Sequence, residues 1–538
     1  MTIYLSKVLL LIVLLLALSR GNIIAQTPVL QKYWVFLKDK DISGFNPYTY
    51  FDIKAIERRL KSNYPISHPS DWPVNPEYLT SIKKAVTAVS QHSRWFNCVA
   101  VYATEKEIEE INGYGFVVST TPFSSTKNIL SLSGRRMVSE TIELSEEDEE
   151  LLVKQTERMQ GNLFLEQNLN GHGIRVAIFD AGFAGVDMNM AFDHLRRNGR
   201  IVKTWDFLKK KEFVYKHDMH GTMVLSCIAG KVGNKRIGMA TEAEFLLART
   251  ESGLFEPFSE EENWLAASEW ADKNGADIIN SSLGYTNNRY FPADMDGRTS
   301  LVTRAANMAA AKGMLVLNAA GNDGDIEWKH LGAPADADSV LSIGGISELT
   351  EYHIYFSSYG PTADKRRKPN VCAYGYAVVA GKEGTEVGYG TSFSTPLVSG
   401  FAACAWQSNK SLSNMELFKK IEASADLYPY YDYAHGYGVP QASHFTGTQE
   451  QEKIKPTFKI VIEGNALNVV IDKEQFDLSE EDSKVYFYYH FENNEGYLDK
   501  YFVLSVEQHD VLSLNIAEYK GLGKVTMHFA GFTESYKF

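Results

Sequence analysis

Six short apolar runs constrain this chain more than any other feature: Ile174–Phe179, Ile201–Trp205, Phe245–Ala248, Ile278–Ser282, Leu315–Asn318 and Val340–Gly344. Each is too short for a buried helix and lacks the polar alternation of a strand with one face in water. Amphipathic stretches, Glu260–Asn274 and Leu301–Lys312, lie between several of them. Strands apolar on both faces and separated by helices predict a parallel sheet covered by helices on both sides, an α/β core over residues 160–448.

The flanks have other textures. Residues 26–130 alternate strand-like runs (Tyr33–Leu37, Cys98–Tyr102, Gly115–Ser119) with helix-like ones (Phe51–Leu60, Glu77–Val89, Glu105–Asn112), which predicts a small α+β module. The polar stretch Ser131–Glu150 follows, with the acidic run Glu146–Glu150, and reads as an exposed linker within residues 131–159. Residues 449–538 carry runs at Phe458–Ile462, Ala466–Ile471, Val485–Phe491, Tyr501–Val506, Leu512–Ile516 and Val525–Phe529, and predict a C-terminal β-sandwich. Tyr486, Tyr488 and Tyr497 there suit either a packed face or carbohydrate stacking.

At the N-terminus Lys7 precedes the apolar run Val8–Leu18, and small or polar residues follow to Ala25. That is the layout of a secretory signal peptide over residues 1–25, an uncleaved anchor being the alternative. A mature chain outside the cytoplasm, secreted, periplasmic or held at the cell surface, is the expectation. A formal net charge of −13, with no basic stripe, excludes the usual nucleic-acid binder. Four cysteines in 538 residues exclude a disulfide scaffold, and Cys227 and Cys404 sit in apolar runs as buried thiols.

Three segments place a polar group at the end of an apolar run. "RVAIFDAGF" ends on Asp180 before a small residue and a glycine; "HDMHGTMVLSCIAG" presents His220 at a helix start; "YGTSFSTPLVSGFAACAW" presents Ser392 likewise. Serine and threonine before proline also describe an ordinary capped helix start, so the last segment alone decides nothing. Together the three are chemically complete. A hydroxyl becomes nucleophilic when an imidazole takes its proton, and a carboxylate fixes the imidazole's tautomer. "VLNAAGNDG" adds Asn322, whose amide suits a developing oxyanion.

These segments resemble those of the subtilase family: "IFDAGF" its aspartate motif, "HGTMVLS" its histidine motif, "AAGN" its oxyanion motif and "GTSFSTP" its serine motif. The order Asp, His, Ser is of the subtilisin type. The resemblance implies a secreted serine endopeptidase working through an acyl-enzyme. Asp180 would orient the base, His220 act as general acid and base, Ser392 as nucleophile and Asn322 as oxyanion donor. It implies that Ser282, Leu283 and Gly284 of "NSSLGY" pair with an extended polypeptide substrate. Gly321 and Gly332 would line the pocket beside the scissile bond, and Asp323 would stand at its rim. Met223 and Phe393 depart from the residues common in the family, outside the charge relay.

The same resemblance makes residues 26–130 a propeptide, an intramolecular inhibitor removed by self-cleavage within Ser131–Glu150, with Lys154–Leu163 covering the edge of the mature core. It implies no cofactor for catalysis, a structural calcium ion for which Asp294 and Asp296 of "ADMDG" are the best local ligands, and a monomer. No zinc pattern or phosphate loop occurs, and Gly171–Gly173 precedes its strand where a dinucleotide turn would follow one. Ser392 lacks the G-x-S-x-G elbow of the α/β-hydrolases. The alternative reading is a catalytically silent binding protein on the same fold.

Overall fold

The computed structural model describes residues 29–41, 43–123, 145–252, 259–286, 289–382, 384–447, 455–472, 486–506 and 511–538. Residues 1–25, expected as a signal peptide, and residues 124–144, with most of the expected linker, lie outside these residues.

Seven parallel strands form the central sheet: β5 (Arg175–Asp180), β6 (Ile201–Asp206), β7 (Glu244–Arg249), β8 (Ile278–Ser281), β9 (Leu315–Ala319), β10 (Val340–Ile346) and β11 (Val371–Tyr374). Their order is β11-β10-β9-β8-β5-β7-β6. Ile278 pairs with Val176 on one side and Leu315 on the other, so the strands of the sheet's middle end nearly level. Alternation sends neighbouring residues to opposite faces. Val176 and Ile178 join a core with helices α6 (His220–Ala229) and α9 (Thr391–Ser408). Phe179 faces the other way, against Trp264 of helix α7 (Ser259–Lys273), with ring centroids 5.4 Å apart. Helix α8 (Leu301–Ala311) packs beside α7.

Helices α4 (Glu146–Glu157) and α5 (Gly161–Glu166) lead into this core. Glu146–Glu150, expected as exposed linker, open α4 instead. Ser145 caps the helix, and four acidic residues in the first turn complement its positive end. Gln155 anchors α4: its amide donates to the carbonyl of Ile237 at 2.8 Å and accepts from the Val378 N–H at 2.9 Å. Val378 lies on the hairpin β12 (Tyr376–Ala380) and β13 (Thr385–Tyr389).

The N-terminal module is a four-stranded sheet, β1 (Gln31–Leu37), β2 (Ala88–Ser93), β3 (Cys98–Ala103) and β4 (Val117–Pro122), in the order β2-β3-β1-β4. Its helices are α2 (Pro76–Ala85) and α3 (Glu105–Asn112), and Ile82, Ile108 and Ile111 fill its core. The helix expected over Glu77–Val89 stops at Ala85, because Val86, Thr87 and Val89 are β-branched and pass into β2. Compactness groups residues 41–73 and 93–96, including helix α1 (Ile53–Lys61), with the parallel-sheet core and the C-terminal part, and leaves the rest of the module as its own unit.

The C-terminal part is a β-sandwich. Strands β14 (Phe458–Glu463), β15 (Ala466–Ile471) and β18 (Val511–Asn515) form one sheet. Strands β16 (Tyr486–Glu492), β17 (Leu498–Ser505), β19 (Lys524–Phe529) and β20 (Phe532–Lys537) form the other. Phe458, Leu467, Phe487, Phe491 and Val525 meet between them.

Candidate active site

Asp180 is the last residue of β5 and His220 the first of α6, so both stand at the carboxyl edge of the sheet, where open α/β sheets bind ligands. The carboxylate of Asp180 is fully buried, and both its oxygens lie 3.0 Å from Nδ1 of His220. Its Oδ1 also accepts the N–H of Ala181 at 2.8 Å, which fixes the carboxylate plane. Gly221 permits the approach: a Cβ there would stand 2.5 Å from the Gly182 carbonyl oxygen and 2.9 Å from the Asp180 Cβ. Asp218 accepts the backbone N–H of His220 at 2.8 Å, bracing the start of α6. The spelling Asp-Met-His carried that signal in the sequence, as an Asx cap two residues ahead.

Ser392 is the second residue of α9, behind Gly390 at φ 135, a conformation that favours glycine. Pro396 lies four residues on and has no N–H to offer the Ser392 carbonyl. Ser282 supplies the missing donor: its hydroxyl reaches that carbonyl at 2.9 Å. In return the Ser392 hydroxyl donates to the Ser282 carbonyl at 3.3 Å, a long bond. The proline in the serine motif thus leaves open a carbonyl that locks α9 to the end of β8. His220 is close by, its ring centroid 5.6 Å from that of Phe393. Ser394 donates to the Tyr374 carbonyl and Thr395 to the Thr391 carbonyl, holding the helix start from behind.

Asn322 follows β9 by three residues and is exposed, with its amide oriented. Its Oδ1 accepts the Thr391 N–H at 2.8 Å and lies 3.0 Å from the Thr391 hydroxyl. With its oxygen engaged, the amide leaves Nδ2 as the group available to a ligand. Sequence reading gave Thr391 no such part, and a threonine in a run of hydroxyl residues carries no local mark of it.

Ser282, Leu283 and Gly284 directly follow the end of β8. Leu283 is buried, Gly284 is partly exposed, and a Cβ on Gly284 would meet nothing within 4 Å. Asn318 holds the strand by donating to the Leu283 carbonyl at 2.8 Å. Gly332 donates to the Ala320 carbonyl at 3.2 Å, and a Cβ on it would reach Thr286 Cγ2 at 2.8 Å. Gly321 adopts φ 123, and a Cβ there would stand 2.6 Å from Ser358 Oγ. Ser282, Leu283, Gly284, Gly321 and Gly332 are therefore gathered at the ends of β8 and β9, next to Asn322.

The carboxylates expected to hold calcium are engaged locally. Asp296 accepts from the N–H groups of Arg298 and Thr299, and Asp294 from that of Phe291. Among the described residues no group of three or more side chains is placed to hold a metal ion. All four cysteines are free and buried, and burial pushes the Cys404 thiol up to about 12, far from a nucleophile's range.

Residues 171–439, half of the chain, match the subtilase family, and residues 32–139 match the peptidase S8 propeptide domain of Bacteroidota. The thermophilic serine proteinase of Bacillus sp. (strain AK1) is 29% identical over 45% of this chain and 56% of its own length. Serine protease AprX of Bacillus subtilis (strain 168) is 28% identical over 48% of this chain and 63% of its own. The chain thus spans less than two thirds of either relative. Among solved structures, MycP1 from the ESX-1 type VII secretion system aligns with 22% identity and a TM-score of 0.45, over 56% of this chain and 87% of its own. The family match, the all-parallel sheet and the N-terminal module lead to one conclusion: the chain belongs to the subtilase family.

Proposed function

We propose that this protein is a serine endopeptidase made as a self-cleaving zymogen. The observation that carries the reading is the convergence of Asp180, His220, Ser392 and Asn322 on one sheet edge, with Nδ1 of His220 held 3.0 Å from the Asp180 carboxylate. The serine-protease relatives and the propeptide match support it.

The chemistry follows from the contacts. Asp180 accepts a hydrogen bond from Nδ1–H of His220, which leaves Nε2 as the base. Ser392 gives up its long bond to the Ser282 carbonyl, passes its proton to Nε2 and attacks the peptide carbonyl. Asn322 Nδ2 and the Ser392 N–H receive the oxyanion; the second residue of a helix has no acceptor for its N–H within that helix. His220 then protonates the leaving amine, and water releases the acyl group by the same steps in reverse. Ser282–Gly284 hold the substrate as an added strand, and Gly321 and Gly332 leave room for the side chain before the scissile bond. No step requires a cofactor. Self-cleavage falls in residues 131–145, ahead of α4, which stays with the mature core through Gln155. Residues 26–130 act as the inhibitor until then, and the leader 1–25 directs the chain out of the cytoplasm. Among the described residues no helix is long and apolar enough to cross a membrane.

The test is labelling by a serine-directed phosphonate, with intact-mass measurement of wild type beside Ser392→Ala. Labelling at Ser392, and processing in wild type alone, are expected. An unlabelled processed chain would overturn the proposal.

A further inference from the structure

The propeptide match covers residues 32–139, yet residues 41–73 are compact with the catalytic core. This excursion is propeptide by sequence and catalytic unit by packing. It grips the core through charges taken out of water. Arg59, fully buried, donates to both oxygens of Asp71 at 2.7 and 3.1 Å and to Asp272 at 2.5 Å. Arg58 pairs with Asp272, donates to the Ala276 carbonyl, and reaches the Lys312 carbonyl at 3.2 Å. Lys312, fully buried, donates to Asp71 at 2.6 Å and to Ser70 at 2.7 Å. The Asp52 N–H caps the Lys273 carbonyl at 2.9 Å, and Glu269 of α7 takes the Ser93 hydroxyl and the Trp95 N–H.

These contacts on the catalytic side belong to α7, to the end of α8, or to the loops that follow them, and three more lie around the start of β5 and the end of α9: Lys54 donates to the Gly173 carbonyl at 2.6 Å, Asp52 pairs with Arg175 at 3.2 Å, and Lys61 donates to the Lys410 carbonyl at 3.1 Å. Asp272, Ala276 and Lys312 all precede the first residues of β8 and β9. Arg58 thus satisfies carbonyls left open beyond the ends of α7 and α8, and Arg59 the carboxylates of Asp71 and Asp272, at the amino edge of the sheet. The reacting groups stand at the carboxyl edge, a strand's length of roughly 3.3 Å per residue away. A group entering the active site meets none of these contacts.

We infer that residues 43–73 form a second hold of the propeptide on the catalytic unit, at the sheet edge opposite the reacting groups, that survives scission of the connecting chain. The surface formed by Asp272, the Ala276 carbonyl and Lys312 fits a helix bearing adjacent arginines, with an aspartate beside it. Cleavage in residues 131–145 then yields a two-chain complex. The lifetime of that complex is set by these contacts. This rests on the zymogen reading for its biological sense but not for its test.

The test uses the full chain with Ser392→Ala and a foreign protease's recognition sequence placed in residues 131–140. After complete cutting, gel filtration with intact-mass detection follows the two pieces. The N-terminal piece is expected to co-elute with the rest. Arg58→Ala with Arg59→Ala is expected to speed its loss on the order of 100-fold, because each removal strands a buried partner. If that variant fails to fold, Asp272→Asn and Lys312→Met alter the socket from the other side and are expected to speed loss likewise. Prompt separation of the parent, or equal lifetimes in parent and variants, overturns the inference. With no nucleophile and a foreign cut, such a failure leaves the Ser392 labelling result untouched.

Discussion

The N–H that Pro396 lacks organises the helix start that carries Ser392. The Ser392 carbonyl lacks the donor that residue 396 would give and takes the Ser282 hydroxyl instead, so α9 and the segment that ends β8 share one bond. Ser282→Ala leaves that carbonyl buried and unsatisfied, and is expected to lower stability by about 1–3 kcal/mol. Denaturant midpoints would show this, together with slower phosphonate labelling of Ser392, and Ser282→Thr should restore both. An unchanged midpoint would mean that water replaces the hydroxyl. At this scale the sequence was informative about identities and silent about partners. Asp180, His220, Asn322 and Ser392 stand out in the sequence because Asp180 and Asn322 follow apolar runs, His220 and Ser392 lead into them, and their motifs come in a fixed order. Thr391 as the clamp on Asn322, and Asn318 as the tie on Leu283, were not, because their meaning lies in segments remote along the chain.

Among the elements, α6 and β5 must approach closely to bring imidazole and carboxylate together, and Gly221 sets that distance. Gly221→Ala would push a methyl group onto the Gly182 carbonyl, Phe183 and Asp180. Displacement of His220 by even an ångström is expected to slow labelling of Ser392 by on the order of 100-fold, with a lowered thermal midpoint. Labelling at the wild-type rate would show that the helix can shift without cost. Legibility of elements followed the strength of local pattern. Glu105–Asn112 was read to the residue because Thr104 and Glu107 form a capping box around an apolar stripe. The end of α2 was misread because apolar residues run on through Val86 and Val89, and a helix tail and a strand start look alike over so few positions. The last strand, β20, went unread because Phe532 and Tyr536 are its only large apolar residues.

For the whole molecule, the C-terminal sandwich is seated on the catalytic core through rings and histidines. Tyr488 is buried against Tyr430 and His435, with centroids 5.7 and 5.6 Å apart, and Tyr486 donates to the Thr350 carbonyl at 2.8 Å. These two tyrosines brace the core, which removes them from any carbohydrate face. Nearby, burial and the neighbouring His435 push His353 down to about 3, against the opposing pull of Asp432. Burial pushes His528, beside Tyr430, Tyr488 and Thr533, down to about 4. Both sit below the ordinary 6.5, so the unfolded chain binds more protons than the folded one in that window. Stability present above pH 6.5 is therefore lost as pH falls, by about 1.4 kcal/mol per unit for each such histidine until its folded value is reached. Thermal midpoints measured from pH 7 to 4 should fall accordingly, and His528→Leu should flatten the slope. An unchanged slope would rule out this contribution.

Amino-acid order was enough to set out the central sheet, the N-terminal α+β module and the C-terminal sandwich, and to nominate Asp180, His220, Asn322 and Ser392, because burial pattern and motif order are local properties written along the chain. Tertiary structure alone decided that Ser282 completes the serine's helix, that Thr391 aims Asn322, that the sandwich tyrosines face the core, and that Arg58 and Arg59 are buried. Nothing in "FDIKAIERRL" distinguishes a guanidinium in water from one sealed against Asp272. A charge is buried only when a partner from elsewhere in the chain arrives to replace its water, and that arrival is a property of the fold.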